Sequence, residues 1–179
     1  ILQICGELKK GRKIILLGEF GSGKSRCLME VFKNLISSET YFSPIAINLR
    51  DNWGYKKFNH ILQNHLDELG LGQFKDSLVR SVTKGNHPIL LDGFDEIGSQ
   101  SWSGDVVRLS EIRKGSLQGV RDLLDQCKDN GIFITGREHY FNSDNEMLEC
   151  LGLDEKNTTI IRCPTEFTEA ELRQYIKAR

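Results

Sequence analysis

The chain has 179 residues, of which 39% are hydrophobic and 27% charged. That balance excludes a disordered or fibrous chain, and the length suffices to bury a core without disulfide or metal support. Lys+Arg 24 against Asp+Glu 25 leave a formal charge of −1, so no global basic field points to nucleic acid. The 5 cysteines are scattered, and no CxxC pair for zinc or redox chemistry occurs among them. They read as reduced thiols of a cytoplasmic protein. No apolar run reaches the length of a membrane span, and no signal-peptide pattern is present. The chain starts at Ile1 and stops at Arg179 inside an expected helix, so it reads as a segment of a longer polypeptide.

Taken in order, strands and helices alternate. Lys13–Leu17 is a short apolar run ending in glycine, a buried strand. From Lys24 to Ile36, Leu28, Val31, Phe32 and Leu35 recur at helical spacing. Pro44–Leu49 is a second strand, and Phe58, Ile61, Leu62, Leu66 and Leu69 mark a second helix ending near Gly70. A weaker helix is expected over Phe74–Val82, and a strand over Pro88–Leu91 with proline at its start. Gly98–Gly115 is polar and reads as a surface insertion, mobile without partners. Ser116–Lys128 is expected to be one helix, followed by strands at Gly131–Thr135 and Thr158–Arg162. Thr168 and Glu171 form a capping box, with Phe167 and Leu172 as its staple, so a helix begins at Glu169. This alternation predicts an α/β fold, a mostly parallel sheet covered on both faces. Residues 1–164 would be the core and 165–179 the start of a helical subdomain.

The strongest motif is Gly18-Glu19-Phe20-Gly21-Ser22-Gly23-Lys24-Ser25, a GxxxxGK[ST] loop between a buried strand and an amphipathic helix. Glycines let successive N–H groups converge on a phosphate, and the helix N-terminus adds partial positive charge. Lys24 would reach the β- and γ-phosphates, Ser25 would ligate Mg²⁺, and the nucleotide-binding residues would run from Gly18 through Arg26. The second signal is Ile89-Leu90-Leu91-Asp92-Gly93-Phe94-Asp95-Glu96, an apolar strand running into carboxylates. Ligands of parallel sheets bind at the carboxyl ends of strands. Asp92 is therefore placed to hold Mg²⁺ through water, and Asp95 or Glu96 to activate an attacking water.

These residues, with Ile132-Phe-Ile-Thr-Gly-Arg137, resemble the NACHT clade of STAND P-loop NTPases. The resemblance is carried by the phosphate loop, by a small residue after Asp92 with further acids two positions on, by Pro44–Asp51, and by the tail Phe167–Ile176. It implies a three-layer ASCE-type fold with a five-stranded parallel sheet. The fourth strand would lie between the phosphate-loop strand and the acidic strand, setting Arg137 beside the γ-phosphate as a sensor. It also implies a slow, Mg²⁺-dependent ATP/ADP switch. Such a switch oligomerises through its NTPase domain and drives effector and sensor domains in cis, in innate immune or antiviral defence. The family commonly carries Pro after this Arg; Glu138 stands here and could pair with Arg137. No Asn-Lys-x-Asp motif appears, which favours adenine over guanine. The alternatives are a nucleotide latch without turnover and another P-loop ATPase or kinase.

Other residues read as structural. His65 lies at the edge of a helix stripe, and His60, His87 and His139 have no metal-ligand spacing. Cys27 reads as core. Lys9, Lys10, Arg12 and Lys13 read as a solvated basic face rather than a nucleic-acid patch. Trp53 and Tyr55 read as packing or interface aromatics.

Overall fold

The computed structural model describes residues 1–37, 43–52, 54–85, 87–97 and 106–164, together with 169 and 173. Five strands, β1 (Lys13–Leu17), β2 (Ile45–Asn48), β3 (Ile89–Asp92), β4 (Ile132–Gly136) and β5 (Thr158–Arg162), form one sheet in the order β2-β3-β4-β1-β5. Every pairing is parallel. The burial of each strand follows its place. Central β1 and β4 are buried at every residue, whereas the edges β2 and β5 alternate or stay half-exposed. Continuous apolar runs belong in strands covered on both faces.

The period-2 alternation of strands sorts the core into two layers. Ile14, Leu16, Leu90 and Phe133 pack against Leu8 of α1 (Leu2–Lys9) and Leu28, Val31 and Leu35 of α2 (Lys24–Ser37). Ile15, Leu17, Leu91 and Ile134 face the other way. They meet α3 (Phe58–Glu68), α4 (Lys75–Thr83), α6 (Gln118–Gln126) and α7 (Asp144–Leu151). Each buried aliphatic side chain contributes about 1.5–3 kcal/mol of transfer free energy, so this sandwich of helix, sheet and helix is held mainly by these stripes. The result is the expected α/β fold: a five-stranded parallel sheet with helices on both faces, and β4 between β1 and β3.

Several expectations need correction. The polar stretch 98–115 is not one loop: α5 (Val106–Ser116) occupies its second half, while residues 98–105 lie outside the described residues. The helix expected over Ser116–Lys128 is α6, with Leu117, Val120, Leu124 and Cys127 buried as its apolar face; what was missed is α5, which ends just before it at Ser116. Helices α1 and α7 were not expected at all. α7 carried a legible signal: Ser143 accepts from the Glu146 N–H at 3.2 Å, and Gly152 ends the helix at φ 68°. Lys13 is not on a solvated face. It is 9% exposed, and its ammonium donates to the carbonyls of Gly11 at 2.7 Å, Asn130 at 3.0 Å and Lys128. It thus satisfies carbonyls where β1 and β4 enter the sheet. Trp53 and the capping box at Thr168 and Glu171, with its staple, lie outside the described residues; Glu169 and Arg173 pair at 2.6 Å.

All five cysteines are free. Burial pushes the Cys127 thiol up to about 12 and raises those of Cys5, Cys27 and Cys150. These four are packing groups at neutral pH. Burial likewise holds His65 below the ordinary histidine pKa. No helix among the described residues is long and apolar enough to cross a membrane.

Candidate functional site

The carboxyl ends of β1, β3 and β4 open into a cleft of about 320 Å³. Its walls are Phe20, Gly21, Gly23, Lys24, Ser25 and Arg26 from the loop after β1, Asp92, Gly93, Asp95 and Glu96 from the end of β3, and Thr135 and Arg137 from the end of β4. The phosphate loop and the acidic strand end, 67 residues apart by numbering from Ser25 to Asp92, therefore share one space. Strand order does this: β4 sits between them, and the two loops converge above it.

The loop is built as its composition requires. Gly21 and Gly23 hold φ of 77° and 88°, a region that side chains rarely adopt. Lys24 turns back over the loop, its ammonium donating to the carbonyls of Gly18 and Glu19, each at 2.9 Å. The Ser22 hydroxyl is buried with no hydrogen-bond partner. It faces Gly18, where an added Cβ would come within 2.5 Å of it, so Ser22 does not join the cleft wall. Gly18 and Glu19 lie beside the cleft rather than on its wall: Gly18 is packed against Cys163, and Glu19 pairs with His139 at 3.2 Å.

Opposite the loop, Asp92 accepts from the Thr135 hydroxyl at 2.5 Å through Oδ1. Thr135 is 0% exposed, and its oxygen also accepts from the Gly93 N–H at 3.1 Å. This fixes one carboxylate oxygen of Asp92 and leaves the other for the cleft. Asp95 is 6% exposed and held at both oxygens by Arg137: Oδ1 accepts from the backbone N–H at 3.1 Å and Oδ2 pairs with Nε at 2.9 Å. Glu96 is solvent-exposed, and its described ion-pair partner is Arg50 at 3.9 Å. The expected pairing of Glu138 with Arg137 does not form. Glu138 binds Arg162 at 2.6 Å instead, and Arg162 also reaches Asp144 at 2.6 Å.

Phe94 sets these positions. It is fully buried against Tyr140 and Phe141, with ring centroids 5.7 and 5.5 Å away. A Cβ on Gly136 would come within 2.2 Å of that ring, so only glycine lets β4 pass and bring Arg137 to Asp95. Sequence reading did not single out Phe94, Thr135 or Gly136. The Phe in Asp-Gly-Phe-Asp-Glu and the Thr-Gly before Arg137 were visible, but their use depends on β3 and β4 being neighbours.

Among the described residues no group of three or more His, Cys, Asp or Glu converges to hold a metal with protein ligands alone. A hydroxyl and a single carboxylate, Ser25 and Asp92, facing one cleft are the donor set Mg²⁺ accepts when phosphate and water supply the rest.

A strand, a glycine-rich GxxxxGK[ST] loop and a helix, with an acidic strand beside the inserted β4, define the three-layer P-loop NTPase fold. No family model matches the chain, and no curated protein matches it. Among solved structures it is similar to the flagellar accessory protein FlaH from Methanocaldococcus jannaschii, at 12% identity and TM-score 0.46 over 90% of this chain and 74% of that one. It is also similar to EssC (ATPases 2 and 3) from Geobacillus thermodenitrificans, at 12% identity and TM-score 0.41 over 90% of this chain. The match spans 33% of that EssC chain. Both are distant likenesses of overall shape and say nothing of substrate.

Proposed function

We propose that the chain is a Mg²⁺-dependent ATPase that turns over slowly and works as a nucleotide-set switch. One observation carries the reading: phosphate loop, acidic strand end and Arg137 line a single cleft. In it the loop N–H groups and Lys24 bind the β- and γ-phosphates, and Arg26 lies at its mouth. Ser25 and Asp92 hold Mg²⁺, which when bound neutralises charge on the phosphates. Glu96 is the base that takes the proton of the attacking water, because Asp95 already gives both oxygens to Arg137. Arg137 answers to the terminal phosphate. The switch itself, with oligomerisation through this domain, effector and sensor domains in cis and a defence role, rests on the NACHT-like residues Gly18–Ser25, Asp92–Glu96 and Ile132–Arg137.

The base assignment is tested by phosphate release. Glu96→Gln should lower turnover by about 10²-fold or more while Mg²⁺-ATP still binds. An unchanged rate, with Asp95→Asn also unchanged, would leave a nucleotide latch in place of an ATPase.

A further inference from the structure

Phe20 is the residue of the loop that the motif does not explain. GxxxxGK[ST] leaves its third position open, and here it carries a phenyl ring that is 87% exposed. The ring lies under the Arg137 guanidinium, with Cζ 5.8 Å from its centroid. Arg137 thereby has two neighbours: its Nε pairs with the buried Asp95 carboxylate, and its guanidinium carbon stands 5.8 Å from the centroid of an aromatic of the phosphate loop. Nε is the nitrogen used in the Asp95 pair, so the terminal nitrogens remain for a second anion.

We propose that Phe20 is a specificity-determining residue, whose ring keeps the Arg137 guanidinium at the phosphate loop so that the cleft distinguishes a nucleoside triphosphate from a diphosphate. The inference rests on the nucleotide reading of this cleft. The physics is that of preorganisation. A half-exposed arginine has many rotamers, and the one that meets a terminal phosphate must be populated beforehand to contribute to affinity. Asp95 fixes one end of the guanidinium but leaves its plane free to turn. A ring within cation–π reach favours the rotamers that keep the guanidinium over the loop. Phe20 belongs to the loop that wraps the phosphates, so the ring and the phosphate-binding backbone are placed by one turn. An ADP-bound cleft offers the guanidinium no terminal phosphate, so affinity for ADP does not depend on Phe20.

The test compares a non-hydrolysable ATP analogue with ADP, each with Mg²⁺, by calorimetry. Phe20→Ala should reduce the triphosphate preference about two- to fivefold, the size of an exposed cation–π contact, with ADP affinity unchanged. Phe20→Trp should keep the preference. In an Arg137→Ala background, Phe20→Ala should add nothing, since its effect runs through that guanidinium. Phe20 is exposed, so its substitutions leave the fold intact; Arg137→Ala removes the guanidinium partner of the buried Asp95, and a circular dichroism melt checks that each variant folds. Equal weakening of both nucleotides, or additive effects of the two substitutions, would overturn the inference. A wild-type chain that binds neither nucleotide would overturn the site reading as well. One that discriminates the two nucleotides while Phe20→Ala leaves the ratio untouched would overturn this inference alone.

Discussion

One hydroxyl stands between the acidic strand and its neighbour. Thr135 donates to Asp92 at 2.5 Å and accepts from the Gly93 N–H at 3.1 Å, wholly out of water. It acts through Asp92, so it is a positioning residue. Outer-shell partners of metal ligands typically cost 10–100-fold in metal affinity when removed. Thr135→Val should therefore raise the Mg²⁺ concentration for half-maximal phosphate release by roughly tenfold, with Thr135→Ser restoring it. A purely structural role would lower melting temperature and leave the Mg²⁺ dependence alone. At this scale the sequence displayed the ligands but not their supports. Lys24, Ser25 and Asp92 follow from motif spacing; Thr135 and Phe20 matter only once β4 is inserted beside β3 and Arg137 comes over the loop.

At the scale of elements, β3 and β4 meet through Phe94 and Gly136. The ring fills the space a Cβ would need, at 2.2 Å, so Gly136→Ala must displace either the ring or the strand. Overpacking of this kind costs about 1–3 kcal/mol, and Arg137 would leave Asp95 with it. The expected result is a lower melting temperature together with loss of triphosphate preference; an unchanged preference would separate the packing from the site. The strands were legible because Ile14–Leu17, Ile89–Leu91 and Ile132–Ile134 are unbroken apolar runs with Gly, Pro or Asp beside them. Helices were less so. α5 begins in a polar stretch that does not advertise a core face, and α1 buries only Cys5 and Leu8. The pairing of Glu138 was misread for the same reason. Its partner Arg162 sits at the end of β5, and only the sheet order brings the two together.

The molecule as a whole gathers its chemistry at the carboxyl ends of its strands. At the opposite, amino ends of β1 and β4, Lys13 and its three carbonyl acceptors form a stabilising arrangement away from the cleft. Alternation of strands and helices in the sequence was enough to expect two covered faces. The order of strands came only with the NACHT-like resemblance, because periodicity carries no information on which strand pairs with which. The central claim is that this cleft grips a triphosphate. Calorimetric titration of Mg²⁺-ATP into the wild-type chain and into Lys24→Ala tests it most directly. The account predicts saturable binding by the wild type and none by Lys24→Ala at the same concentrations; equal affinity in the two proteins would contradict it.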